Sequence, residues 1–183
     1  MIVLVGMPGS GKSTVGRLLA RRLQVAFDDS DHLIEQRLGC SIRSYFELHG
    51  EEAFRALEQE TLTQLVQAQG VGVLATGGGA VLREANRQVM HQGAHVVYLR
   101  ATPEEIYRRV KHDTKRPLLQ VEDPLQRLRD LYAQRDPLYR SVAHTVVDAG
   151  GGTAAALVNL IAMQMEQAQW AQPDAGARPA PSN

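Results

Sequence analysis

Gly6-Met7-Pro8-Gly9-Ser10-Gly11-Lys12-Ser13-Thr14 follows directly on the apolar run Ile2-Val3-Leu4-Val5. Gly6, Gly11, Lys12 and Ser13 fill the pattern G-x-x-x-x-G-K-[ST], in the strand–loop–helix setting that gives the pattern its meaning. The glycines let the backbone curl so that successive N–H groups face one anion, and the helix opening near Lys12 adds the positive end of its dipole. In such a loop Gly9, Ser10, Gly11 and Thr14 line the polyphosphate and Lys12 reaches its β- and γ-phosphates. The Ser13 hydroxyl is a ligand for Mg²⁺. These residues imply a nucleoside triphosphate as one ligand and leave open what receives the phosphate.

Working outward, strand-like runs alternate with amphipathic ones. Candidate strands are Ile2–Val5, Val25–Asp28, Val71–Ala75, His95–Leu99 and Thr145–Val147. Helical spacing appears at Val15, Leu18, Leu19 and Leu23, and again at Phe54, Leu57, Thr61, Leu62 and Leu65. Thr102 is placed to cap a helix opening at Pro103, and Asp123-Pro124 opens another. Pro137 is expected to break that last helix. The alternation predicts an α/β fold with a parallel sheet covered on both faces and ligands at the carboxyl ends of its strands. The loop after Val5, the segment Asp28–Asp31 and the triplet Gly77-Gly78-Gly79 are therefore expected to converge.

The chain of 183 residues suits one domain, with 44% hydrophobic and 22% charged residues and a formal net charge of zero. That balance argues against a nucleic-acid coat or a polybasic membrane binder. Cys40 is the only cysteine, so no internal disulfide forms, and it reads as a small structural side chain. No apolar run approaches a membrane span, and the N-terminus reads as a core strand and not a signal peptide, so a cytoplasmic protein is expected. From about residue 167 the chain turns to Gln, Ala, Gly, Pro and Ser. The expected organisation is a single domain over 1–166 and a disordered tail over 167–183.

Three further groups point to the acceptor. Asp28, Asp29 and Asp31 bring carboxylates to a strand end; if the chain stays extended, Asp29 and Asp31 share a side, one to orient a hydroxyl and one to support the cation. The bland alternative is that one of them caps the following helix, expected over His32–Leu38. Gly77–Gly79 allow positive φ and close approach of backbone N–H groups to a ligand. Arg55 and Glu58 are spaced to pair on a helix surface, Arg116 lies in a polar segment long enough to be a cover, and Arg135 precedes Asp136-Pro137.

Together these residues resemble the shikimate kinases, relatives of the nucleoside monophosphate kinases. The resemblance runs from Ile2 to about Ile161. It rests on Gly6–Thr14; Asp29-Ser30-Asp31 followed by Ile34-Glu35; Phe54-Arg55 and Glu58; Gly77-Gly78-Gly79-Ala80-Val81; Arg116-Pro117-Leu118-Leu119; and Arg135 with Pro137-Leu138-Tyr139. It implies a three-layer α/β/α P-loop kinase with a five-stranded parallel sheet in the order 2-3-1-4-5. A substrate-binding subdomain near 30–60 and a lid near 112–123 would complete it. It implies transfer of the ATP γ-phosphoryl group to the 3-hydroxyl of shikimate, with one Mg²⁺, by a protein expected to be a monomer with no nucleic-acid or membrane partner. Lys12, Asp31 and Arg116 would be catalytic, and Arg109 and Arg116 would join the phosphate loop around ATP. Asp31, Arg55, Gly77, Gly78, Gly79 and Arg135 would bind shikimate, with Glu58 orienting Arg55 and Phe46 and Phe54 against the ring. Ser13 would ligate the metal directly and Asp29 through water. One departure concerns the nucleobase: Asp148-Ala149-Gly150-Gly151-Gly152-Thr153 lacks the basic residues and proline that the family often places there. A gluconate kinase and a non-catalytic ATP-binding regulator are the alternative readings.

Overall fold

The computed structural model describes residues 1–68, 72–111 and 120–170. The sheet contains β1 (Ile2–Val5), β2 (Phe27–Asp29), β3 (Val73–Ala75), β4 (His95–Arg100) and β5 (Thr145–Asp148), all parallel, in the order β2-β3-β1-β4-β5. The strand order is the one that the resemblance implied. β1 lies at the centre, Ile2 opposite both Val73 and His95, and all four of its residues are buried. This is why it reads as a continuous apolar run with no polar alternation.

Helices lie on both sides of the sheet. α1 (Lys12–Leu23) packs with α7 (Ala154–Trp170), while α3 (Ile42–Gln67), α4 (Glu84–Gly93) and α6 (Pro124–Val142) form a second packed group, with α5 (Pro103–Val110) against α6. α7 continues through Trp170, past the point where the tail was expected to begin; the remainder of that segment lies outside the described residues. None of the helices among the described residues is long and apolar enough to cross a membrane.

Local chemistry sets the boundaries. Thr102 and Glu105 form a capping box at the start of α5, and Asp123 accepts from the Gln126 N–H at the start of α6. α2 (Ser30–Leu38) starts two residues earlier than expected because Asp29 is its N-cap, accepting from the N–H groups of Asp31 and His32. Asp29 therefore ends β2 in extended backbone, while Asp31 lies in the first helical turn and not on an extended strand end. α3 begins at Ile42, well before the helical spacing that starts at Phe54, and bends at Gly50, where φ is 82°.

Pro137 does not break α6, which runs on to Val142. The proline leaves one carbonyl without its helical partner, but the turn beyond it is anchored. Tyr139 and Val142 are buried, and Arg140 Nε donates to Asp136 Oδ2 at 2.7 Å across the proline. Cys40 is exposed, so it packs into no core.

Candidate active site

The phosphate loop joins β1 to α1. Gly6 has φ 151°, and a Cβ there would lie 2.7 Å from the Leu99 carbonyl oxygen, so the loop can run against β4 only without a side chain. α1 is capped by Gly11, which offers no side-chain acceptor, leaving first-turn N–H groups to a ligand. Gly9, Gly11, Lys12, Ser13 and Thr14 line an open cavity of about 140 Å³. Lys12 is buried, with Nζ donating to the carbonyls of Gly6 at 2.8 Å and Met7 at 2.9 Å. Ser10 is also buried, and its hydroxyl has no partner among the described residues.

β2 delivers the acidic residues to this loop. Ser13 Oγ donates to Asp29 Oδ2 at 2.6 Å, so the hydroxyl and the carboxylate expected around one cation stand side by side. Two residues on, Asp31 sits in the first turn of α2. Its carboxyl is pushed up to about 6, first by burial and then by the charges of Asp29 and Glu58, against the pull of Lys12. A carboxylate tuned towards neutrality suits proton exchange.

The loop after β3 closes the other side. The Gly77 N–H donates to Ser30 Oγ at 3.2 Å, tying this loop to the start of α2. The described residues with positive φ do not include Gly77, Gly78 or Gly79, so the triplet is used for close approach and not for left-handed backbone. A Cβ on Gly77 would lie 2.5 Å from Asp31 Oδ1, one on Gly78 would meet Pro8, and one on Gly79 would lie 2.7 Å from Arg55 Cζ. Each glycine admits a different neighbour, and the three neighbours come from the phosphate loop, α2 and α3.

Arg55 is held from three sides. Its Nη1 donates to Glu58 Oε2 at 2.7 Å, and its guanidinium lies over the rings of Phe54 at 5.1 Å and Phe46 at 5.9 Å. The pair is not on the helix surface as its spacing suggested: the side chains are 12% and 1% exposed. Burial raises the Glu58 carboxyl while Arg55, Arg135 and Arg83 lower it. Arg135, on α6, pulls down the pKa of the Tyr139 hydroxyl against its burial, and that hydroxyl donates to the Gly78 carbonyl at 2.5 Å. Glu58 Oε1 and Arg135 Nε are both buried with no partner among the described residues. An orphaned donor on a guanidinium is the mark of a site that expects an anionic acceptor.

Arg109 stands apart from this cluster. It lies on α5 and donates to the carbonyls of Ala149 and of Gly150, the latter at 3.2 Å, beyond the end of β5. It thus borders the glycine-rich stretch where the sequence departs from the family pattern. Arg116 and most of the expected lid lie outside the described residues. Two features of the site escaped the sequence reading: the Tyr139–Gly78 bond, for which the sequence carries no signal, and the burial of Glu58, whose helical spacing off the apolar stripe pointed to the surface.

Among known proteins, a family model described as shikimate kinase matches residues 8–166. A shikimate kinase of Paracidovorax citrulli is 57% identical over 169 residues, 91% of this chain and 92% of that protein. A solved shikimate kinase from Acinetobacter baumannii, in complex with shikimate, is similar with a TM-score of 0.86 at 45% identity, over 93% of this chain and 94% of that one. A gluconokinase from Sinorhizobium meliloti 1021 reaches a TM-score of 0.60 at 18% identity, over 93% of this chain and 97% of that one, a likeness of fold alone. With its five-stranded sheet, phosphate loop and near full-length relatives, this chain belongs to the shikimate kinase family.

Proposed function

We propose that the chain transfers the γ-phosphoryl group of ATP to the 3-hydroxyl of shikimate, giving 3-phosphoshikimate and ADP. The observation that carries this reading is the convergence of two half-sites on Asp31. The phosphate loop lies on one side, through Ser13 and Asp29, and the cluster of Gly77–Gly79, Arg55 and Arg135 lies on the other. Arg55 is bridged by buried Glu58 at 2.7 Å and by exposed Glu51 at 3.4 Å, whereas Arg135 keeps a buried Nε with no partner among the described residues. A substrate carboxylate is the ligand suited to that donor.

In this reading Arg55 and Arg135 hold the carboxylate of shikimate, and Phe46 and Phe54 face its ring. The N–H groups of the glycine triplet bind its polar groups. Asp31 orients the attacking hydroxyl and takes its proton while the new O–P bond forms and the bond from the γ-phosphorus to the β,γ-bridging oxygen breaks. Lys12 offsets charge on the transferring group. The resemblance to the family implies the same task for Arg116. Arg109 serves the nucleobase. Ser13 and Asp29 supply hard oxygen donors suited to Mg²⁺, the first directly and the second through water. When bound, the cation screens the phosphate charges. Among the described residues no group of three or more His, Cys, Asp or Glu side chains is arranged to hold a metal, so phosphate and water oxygens would complete the shell.

The test is ADP release in the presence of ATP and Mg²⁺, with shikimate, gluconate and nucleoside monophosphates offered in turn. Stimulation by shikimate alone is expected. A flat response to shikimate would refute the reading.

A further inference from the structure

We infer that Tyr139 is a positioning residue for the acceptor, one that locks the glycine loop and Arg135 into a single register. The inference rests on the reading that this cluster binds shikimate. Tyr139 is fully buried on α6 and packs on Tyr98 with ring centroids 5.0 Å apart. Its hydroxyl donates to the Gly78 carbonyl at 2.5 Å and lies within electrostatic reach of Arg135. One oxygen thereby stands between two parts of the substrate cluster, 61 and four residues away along the chain, and is bonded to the first of them.

Peptide geometry explains what the first contact does. The Gly78–Gly79 peptide is planar and trans, so its C=O and N–H point in opposite directions. Holding the Gly78 carbonyl on Tyr139 therefore fixes the direction of the Gly79 N–H. That N–H finds no protein acceptor among the described residues, and it stands beside Arg55, whose guanidinium occupies the space a Gly79 side chain would fill. Glycines alone would leave this peptide free to rotate. Pro8, packed against Gly78, limits the loop from the other side. Arg135, one turn away on the same helix, influences the Tyr139 hydroxyl and keeps a buried Nε with no partner among the described residues. Tyr139 thus sets the glycine loop beside the guanidinium donor that remains for the substrate.

Tyr98 provides the internal control. It belongs to the same aromatic pair, is equally buried, and spends its hydroxyl on Asp136 at 2.8 Å, touching neither the loop nor Arg135.

The experiment compares the parent with Tyr139→Phe and Tyr98→Phe in steady-state kinetics against both substrates, together with thermal melts. Tyr139→Phe should raise the KM for shikimate about tenfold while the KM for ATP stays within about twofold, because one hydrogen bond misaligned at a binding site costs of this order. Tyr98→Phe should leave both KM values near the parent's. Tyr139→4-aminophenylalanine, which restores a donor in the same ring frame, should recover most of the shikimate KM. An unchanged shikimate KM in Tyr139→Phe, or an equal rise in Tyr98→Phe, overturns the inference. So does failure of both Tyr139 variants to fold, which would make the residue a core element only. A parent that shikimate does not stimulate overturns instead the reading on which the inference rests.

Discussion

The substitution Asp31→Asn keeps the side chain's shape and removes its charge. In the parent, burial and the negative charges of Asp29 and Glu58 lift the Asp31 carboxyl from 3.8 to about 6. That is about two pKa units, or about 3 kcal/mol at about 1.4 kcal/mol per unit, by which the charged form is disfavoured in the folded protein. The buried amide keeps part of this cost, leaving a net stabilisation of about 1–2 kcal/mol and a Tm increase of about 2–8 °C for a domain of this size. The sign follows from linkage. The folded state holds the Asp31 proton more tightly than the unfolded chain, so the penalty is absent below about pH 4, grows between about pH 4 and 6 and is complete above that. Thermal melts of ligand-free parent and variant from about pH 4.5 to 8 should therefore show the variant ahead at pH 7 and the gap closing towards the acid end. Turnover should move the other way, falling roughly 100-fold or more with loss of the proton acceptor, while the KM for ATP stays put. In the parent, kcat/KM for shikimate should decline below an apparent pKa near 6. A variant no more stable than the parent at pH 7, or a gap that does not shrink with acid, would refute the electrostatic account of Asp31.

Lys12→Ala should abolish detectable phosphoryl transfer, measured as ADP release, since it removes the cation held on the phosphate loop at the carbonyls of Gly6 and Met7. Arg135→Ala should weaken shikimate binding by about 2–5 kcal/mol, read by calorimetry, as expected when one partner of a desolvated charge pair is lost. Gly79→Ala introduces a Cβ where the Arg55 guanidinium lies. That guanidinium is the end of a flexible side chain, so the fold should hold within about 1 kcal/mol, while displacement of Arg55 by about 1 Å raises the KM for shikimate tenfold or more.

Contiguous chemistry is the part of this protein that is legible in its sequence. Nine consecutive residues, Gly6–Thr14, carry their own loop, helix start and phosphate ligands, because their geometry depends on local φ/ψ and on neighbours one to four residues away. The capping residues Thr102 and Asp123 were readable for the same reason, and so was the buried central strand Ile2–Val5. The structure departs from local preference where burial outweighs it. Pro137 was expected to end a helix, but Tyr139 and Val142 are packed into the core beyond it, and that packing holds the turn. Arg55 and Glu58 have the spacing of an ordinary surface pair, yet they are enclosed against Phe46, Phe54 and the glycine loop. Asp29 and Asp31 were expected to share the side of an extended segment, and instead the Asp29 carboxylate caps α2 and turns Asp31 into its first helical turn.

The sequence by itself determined the phosphate loop, the alternation that makes a parallel sheet, and the residue types of an acceptor site suited to a hydroxylated carboxylate. Only the tertiary structure decided how those residues meet. Asp31 faces Gly77, Arg55 fills the space beside Gly79, and the Tyr139 hydroxyl ties α6 to Gly78, bringing together segments from four separate parts of the chain. The physical reason is range. Backbone propensity and capping act over a few residues and are written in adjacent letters. Desolvation, Coulomb interaction and close packing act across space, between groups whose proximity exists only once the sheet has ordered β2, β3 and β1 side by side.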